Sequence, residues 1–326
     1  MNLQKQPIEI CLTPDENYMQ HAGVLMASIV LNADVGEKIN FYIFDDGSIL
    51  SETKEKMRFI EKLASQKQIQ ITLKYIPIEF GSLFKGVPLD GHLSIATCYR
   101  LLAAQLLSHL SRVLYLDSDM LVLSSLRPLW EMDLNGKLVG MVPDSNYRAL
   151  NKKYELNEGE FYCNDGMLLF DLALFRKGDY LNKIIQGIQI YQSKISLGLQ
   201  DVNNLVFRDS IQYLDYEWNL QETHKTFKKL KWHQKLLDAC CQSPKIIHYI
   251  TAEKPWNPIA RRFSKTHYYF DYLKETPWKN YVWTYWAKRV FFYYFFNNII
   301  EIHRDNTLFY IKIFKIRVYK KVKKKE

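Results

Sequence analysis

Short apolar runs and helix-patterned stretches take turns along the first half of the chain, and this alternation narrows the fold more than any other feature. Ile8 to Leu12 reads as a buried strand and Gly23 to Leu31 as an apolar-rich helix. Asn40 to Phe44 is strand-like and ends in the turn signal Asp45-Asp46-Gly47. Ser51 to Lys62 patterns as a charged amphipathic helix, Ile69 to Ile78 as a strand, and Ile95 to Leu110 as a helix. Val113 to Leu116 is a short apolar run that ends in acid. Such alternation predicts an α/β fold with a mostly parallel sheet flanked by helices. Ligands of such sheets sit at the carboxyl ends of the strands. No GxGxxG follows the first strand, and no GxxxxGK precedes a Ser or Thr. A dinucleotide dehydrogenase or P-loop NTPase is therefore disfavoured, because both use glycines to bring backbone amides onto phosphate.

Charge divides the chain in two. From Thr266 onward there are 13 Lys and Arg against 5 Asp and Glu, while the preceding 265 residues carry 31 against 30. The same tail holds 19 of the 47 Phe, Trp and Tyr. Residues 1–265 read as a catalytic body and 266–326 as a basic aromatic appendage, with Pro255-Trp256-Asn257-Pro258 punctuating the end of the body. The N-terminal residues show no apolar signal segment. No run approaches the roughly 18 to 20 apolar residues that cross a bilayer. The five cysteines are odd in number and include no CxxC pair, which argues for a reducing cytosol and against structural zinc. The adjacent Cys240 and Cys241 read as small buried hydrophobes.

The chemistry-bearing stretch is VLYLDSDMLVL, where Asp117-Ser118-Asp119 follows four apolar residues. Two carboxylates two residues apart at a strand end offer hard oxygen ligands for Mg²⁺ or Mn²⁺, which in turn would bridge a pyrophosphate. Alone, the pair reads as a solvated turn.

Several ordered motifs around it resemble family 8 glycosyltransferases, retaining enzymes that include lipooligosaccharide galactosyltransferases and glycogenin. They are CLTPDENY (11–18), FYIFDDGS (41–48), HLSIATCYRL (92–101), FYCNDGMLLFDL (161–172), LGLQDVNN (197–204) and HYITAEKPW (248–256). The resemblance implies a GT-A fold, a Rossmann-like mixed and mostly parallel sheet, here with a helical basic-aromatic tail. It implies that Thr13, Asp15, Asn17 and Tyr18 contact the nucleotide of a UDP-hexose donor. Arg100, Ser118, Asn164, Gly166 and Gln200 would line the donor sugar, and Lys254 would meet the diphosphate. His92, Asp144, Tyr249 and Thr251 would face a glycan or glycolipid acceptor. The ion, Mn²⁺ or Mg²⁺, would be held by Asp117, Asp119 and His248. Gln200 takes the nucleophile-side position, with Asp165 and Asp201 as neighbouring carboxylates. Simpler readings stay open for Asp15 as a helix cap, Arg100 as a snorkelling surface residue and Asn164-Asp165-Gly166 as a turn before a buried strand. Two residues depart from the family pattern: Thr251 replaces its usual Gly, and Leu199 replaces an acid found in some relatives.

The expected function is transfer of glucose or galactose from a UDP-sugar to a bacterial surface glycan such as lipopolysaccharide. Rings mixed with Lys and Arg in the tail suit an anionic membrane surface, giving a peripheral enzyme on the inner face of the cytoplasmic membrane. Nucleic acid is disfavoured as a partner by the neutral body. A sugar-nucleotidyltransferase and a non-catalytic membrane-docked module are the rival readings. The first lacks a glycine-rich opening near the N-terminus, and the second leaves the joint presence of Asp117, Asp119, His248 and Lys254 without a purpose.

Overall fold

The computed structural model describes residues 5–79, 81–84, 95–222, 242–251, 254–259, 265–298, 300–304, 308–313 and 316–322. His92, Cys240 and Cys241 lie outside the described residues. The strands are β1 (Ile8–Leu12), β2 (Lys38–Asp45), β3 (Gln70–Pro77), β4 (Arg112–Leu116), β5 (Met120–Val122), β6 (Val139–Pro143), β7 (Cys163–Asp171), β8 (Ile211–Tyr213), β9 (Leu220–Gln221), β10 (Ile246–His248), β11 (Ile300–Arg304), β12 (Leu308–Ile313) and β13 (Ile316–Val322).

A seven-stranded sheet in the order β3-β2-β1-β4-β7-β6-β8 forms the frame. β1 pairs in parallel with both β2 and β4, and β2 with β3. Parallel neighbours need crossovers, and the Met19–Leu31 helix supplies the one between β1 and β2. β7 then runs antiparallel to β4 and β6, so the sheet is mixed but mostly parallel. Both faces are covered at the centre of the sheet, which is why β1 and β4 read as mostly apolar runs. Successive side chains alternate between two cores: Ile10, Leu12, Leu114 and Leu116 pack on one face with Leu25 and Met26. Cys11, Val113 and Tyr115 pack on the other with Leu102 and Phe170.

Two expected helices differ in form. The Ser51 to Lys62 pattern becomes Ser51–Met57 and Phe59–Gln66, split where the Arg58 N–H bonds the Glu55 carbonyl three residues back. The Ile95 to Leu110 pattern becomes a 3₁₀ helix over Ile95–Leu102 and a short α-helix over Ala103–Leu106.

The tail starts as an integral part of the body. Its Thr266–Leu273 helix buries Tyr269 and Leu273 against Val24, Leu121 and Ile247. Asn32 Nδ2 donates to Tyr272 Oη at 2.7 Å. Trp278 lies over Gly23, where a Cβ would come within 2.8 Å of the indole. A second helix, Tyr281–Asn298, follows, and β11, β12 and β13 pair antiparallel in that order, where the sequence predicts a helical tail. The alternation in Ile311-Lys312-Ile313 and Ile316-Arg317-Val318 has the period of a strand. Among the described residues no helix is long and apolar enough to cross a membrane.

Candidate active site

Pairings between strands far apart in sequence assemble the site at the carboxyl end of β4. The Asp117–Asp119 turn leads from β4 into β5. β10 runs antiparallel to β5 and sets His248 opposite Met120, with the Tyr249 N–H bonded to the Asp119 carbonyl at 3.0 Å. On the other side, β7 lies antiparallel to β4, and the Asp117 N–H bonds the Gly166 carbonyl at 2.8 Å. Asn164, Asp165 and Gly166 are thus part of strand β7 and not a turn before it. One ligand atom from each of Asp117, Asp119 and His248 falls within 4.8 Å of the others. His248 Nε2 stands 3.1 Å from Asp119 Oδ1 and 3.8 Å from Asp117 Oδ2.

The surroundings fit a hard divalent cation. Asp119 Oδ1 is buried without an aligned hydrogen-bond donor. A Cβ on Gly166 would collide with His248 Cε1 and lie 2.8 Å from Asp117 Oδ2, so only glycine leaves this space open. Two carboxylates and an imidazole form a donor set that suits Mn²⁺ or Mg²⁺.

The two carboxylates differ electrostatically. Burial pushes the Asp117 carboxyl up to about 6, against the pull of the Arg100 guanidinium, and Asp119 adds to the rise. Asp119 is also buried, yet the Lys254 ammonium and His248 hold its carboxyl well below the usual carboxylate range. Lys254 Nζ contacts Asp119 Oδ2 and donates to the Tyr249 carbonyl at 2.7 Å. Tyr115 Oη donates to Asp117 Oδ1 and lies 3.2 Å from Thr13 Oγ1. Arg100 is buried, not snorkelling. It donates to the Asp165 carbonyl at 2.7 Å, stacks on Tyr115 and approaches the Asp117 and Asp165 carboxylates at 3.4 and 3.5 Å.

An amide chain links this cluster to Asp144. Asn164 Nδ2 and the Asp165 N–H both donate to Gln200 Oε1, at 3.1 and 3.3 Å, and Gln200 Nε2 donates to Asp144 Oδ2 at 3.3 Å. Burial raises the Asp144 carboxyl. Of the neighbouring acids, Asp165 is bound by Asn203 Nδ2 at 3.0 Å as well as by Arg100. Asp201 is fully buried and turned away: Tyr162 Oη occupies one oxygen, and the Ser196 and Leu197 N–H groups occupy the other.

The remaining expected residues divide. Asp15 caps the 3₁₀ helix Glu16–Tyr18 by accepting the Tyr18 N–H at 3.1 Å. Tyr18 sets its ring edge-on to His21 and Trp256, and burial together with Asp119 pushes its hydroxyl up to about 12. Asn17 is exposed and Ser118 half-buried. Tyr249 was expected toward the acceptor, but its ring is fully buried and its hydroxyl donates to the Lys265 carbonyl at 2.8 Å, so it backs the site wall. Thr251 is exposed at φ 72°, the left-handed conformation that glycine favours. Sequence reasoning missed Tyr115, His21 and Asn219. The Tyr-x-Asp spacing before the acidic pair places Tyr115 two residues away on the same side of the strand, a signal that was available. Asn219 carries none until the strands are paired.

Comparisons with known proteins bear on the family and the fold. The sequence model for glycosyl transferase family 8 matches residues 9–260, a range that holds the seven-stranded sheet but for Ile8 and includes Asp117, Asp119 and His248. The chain belongs to that family. Among the similar proteins, General stress protein A of Bacillus subtilis (strain 168) is 27% identical over 278 residues, covering 81% of this chain and 92% of the relative. Lipopolysaccharide 1,2-glucosyltransferase of Escherichia coli (strain K12) is 30% identical over 274 residues, covering 82% of this chain and 77% of the relative. Galactosyltransferase LgtC, solved with donor and acceptor sugar analogs, superposes with a TM-score of 0.71 at 24% identity, covering 83% of this chain and 96% of LgtC. The fold is the GT-A fold expected of a family 8 enzyme.

Proposed function

We propose that this family 8 glycosyltransferase is a metal-dependent, retaining enzyme that moves a hexose, glucose or galactose, from a UDP-sugar to a bacterial surface glycan such as lipopolysaccharide. The Asp117–Asp119–His248 cluster, with Lys254 resting on Asp119, is the observation that carries this reading. The Escherichia coli lipopolysaccharide glucosyltransferase at 30% identity supports the acceptor class. A bound Mn²⁺ or Mg²⁺ would supply Lewis-acid stabilisation of the charge on a departing nucleoside diphosphate.

The chain's own groups supply the rest. Lys254 brings a fixed ammonium to the same place, where a water-poor site strengthens it. Arg100 stays charged between Asp117 and Asp165 and so brings a fixed positive charge beside the cluster. Sugar transfer passes through an oxocarbenium-like state, and a retaining route needs either a protein nucleophile or attack from the face of the leaving group. Gln200 is an amide whose carbonyl oxygen already accepts two hydrogen bonds. Asp201 has both oxygens occupied, and Asp165 is held by Arg100 and Asn203. These features favour same-face attack: the acceptor hydroxyl bonds to the anomeric carbon as the sugar–phosphate bond breaks, and its proton passes to the leaving phosphate oxygen.

The tail supports action at the cytoplasmic face of the membrane. The helix Tyr281–Asn298 exposes Trp283, Val290, Phe291 and Tyr293 beside Lys288. Rings at headgroup level and cations against anionic lipid are what an interfacial helix uses, at about 1 kcal/mol for each basic residue near the surface.

Release of UDP from UDP-glucose or UDP-galactose with Mn²⁺, abolished by EDTA and by Asp119→Asn, is the expected result. Turnover indifferent to EDTA overturns metal dependence, and covalent labelling of Asp165 or Asp201 by a fluorinated donor analogue overturns same-face attack. Sedimentation with anionic liposomes should be lost when Trp283, Val290, Phe291 and Tyr293 are replaced together by Ser. Equal pelleting of that variant removes the membrane role.

A further inference from the structure

We infer that Asn219, acting with Asn164, fixes a proton on Nδ1 of His248, so that Nε2 is the nitrogen turned to Asp117 and Asp119. The inference rests on the metal reading above only for its consequence; the tautomer follows from hydrogen-bond geometry alone.

His248 Nδ1 lies 3.1 Å from Asn164 Oδ1 and 3.1 Å from Asn219 Oδ1. An amide can be turned end for end, so the identity of these two atoms must be fixed by something that cannot turn. A backbone N–H does this, because it only donates. The Gly166 N–H points at the same Asn164 atom at 3.1 Å, which makes that atom an oxygen. The opposite end of the Asn164 amide then donates to Gln200 Oε1, whose identity the Asp165 N–H fixes independently. Asn219 Nδ2 donates to Asn164 Oδ1 at 2.9 Å, and this turns the Asn219 oxygen toward His248. The imidazole Nδ1 therefore faces two acceptors, and only Nδ1–H satisfies them.

All three side chains are buried, Asn219 and His248 at 0% and 3% exposure, so water cannot substitute for a missing partner. Asn219 follows the 3₁₀ turn Tyr216–Trp218 and immediately precedes β9, which pairs in parallel with β10. The strand that carries the metal-side histidine is thus registered against the strand that begins next to its tautomer lock. Asn219 does not point at the cation cluster itself; it is a positioning residue acting through His248.

The test uses the full chain labelled with ¹⁵N-histidine, with the His248 signals assigned by their loss in His248→Gln, and Mn²⁺ alone as the binding probe, followed by electron paramagnetic resonance. Metal-free wild type is expected to show His248 as Nδ1–H. Asn219→Leu, which removes both amide groups, is expected to mix in the Nε2–H form and to weaken Mn²⁺ binding by about 10- to 100-fold, the usual cost of losing a group that orients a ligand. Asn219→Asp keeps an acceptor for Nδ1–H and should retain both the tautomer and Mn²⁺ affinity within a few-fold. Wild-type His248 found without a proton on Nδ1 overturns the inference, as does Asn219→Leu with tautomer and affinity unchanged. If Asn219→Leu does not fold, the wild-type tautomer and the Asn219→Asp comparison decide. Should wild type take up no Mn²⁺, the metal reading falls, while the tautomer measurement still decides this inference.

Discussion

Two residues near the site are held against their own preferences. Thr251 sits at φ 72°, and a β-branched side chain there crowds its own backbone, at a cost of about 1 to 3 kcal/mol. Thr251→Gly releases that strain and gives back part of the gain to the entropy of the unfolded chain. A net stabilisation of about 1 kcal/mol in urea denaturation is expected; a lower midpoint would mean that the threonine side chain contributes more than its backbone costs. His21 is the second case. Its ring stacks on Trp256 at 3.7 Å, and its Nδ1 lies 2.7 Å from Tyr269 Oη. Burial first, with the Lys254 charge assisting and Asp119 opposing, lowers its basicity from an ordinary 6.5 to about 3. The unfolded chain therefore binds a proton below pH 6.5 that the folded chain refuses. Stability is complete above that pH and falls as the pH drops toward about 3, at up to about 1.4 kcal/mol per unit from this group. His21→Gln should flatten the acid limb of a stability–pH profile between pH 6 and 4; an unchanged slope would show that other groups govern it.

The Tyr269–His21 contact also shows what the Thr266–Leu273 helix does as an element. It joins the Tyr18–His21 segment to the Lys254–Trp256 stretch through one buried stack of rings. Tyr269→Phe keeps the ring and removes the hydroxyl that pairs with His21 and with Gln20. Leaving a buried nitrogen unpaired should cost about 1 to 3 kcal/mol, read as a lower urea midpoint with an unchanged m-value. No change would mean that the helix is held by its apolar face alone. A charge count placed a boundary at residue 266, but packing of Tyr269 and Leu273 with Val24, Leu121 and Ile247 ties this part of the tail to the body. Elements legible in the sequence were those whose pattern is local. β1 and β2 are mostly apolar, with Glu9 interrupting β1 and Asn40 interrupting β2, because both faces of the sheet are covered there. What sequence could not supply depends on pairing. Asn164-Asp165-Gly166 carries a turn signature, yet register with β4 holds it in a strand. Asp201 adjoins Gln200 in sequence, but neighbours on a helix point about 100° apart, and its carboxylate serves the Ser196–Leu197 turn. Asn219 gains meaning only when β9 and β10 come together.

At the scale of the molecule, the candidate metal ligands come from the β4–β5 turn and from β10, with Gly166 of β7 closing the space between them. These segments are distant in sequence and meet only when the large sheet and the small β5-β10-β9 sheet are both formed. An unfolded chain cannot present that donor set, so a cation that uses it binds the native state and stabilises it by mass action. At a Mn²⁺ concentration 100 times its dissociation constant the gain is about 2.7 kcal/mol. For a chain of 326 residues, with an unfolding entropy near 2 cal/mol/K per residue, this corresponds to a Tm rise of roughly 4 °C. EDTA should reverse the rise. Asp119→Asn should abolish it, because it removes a negative oxygen while leaving the β4–β5 and β10 pairing intact. Ca²⁺, larger and content with more oxygen ligands, should shift Tm less than Mn²⁺ at equal concentration, since an imidazole nitrogen forms part of the set. A rise that survives Asp119→Asn would place the cation elsewhere on the molecule, and a scan unmoved by Mn²⁺ at any concentration would mean that these three side chains are gathered for some purpose other than holding it.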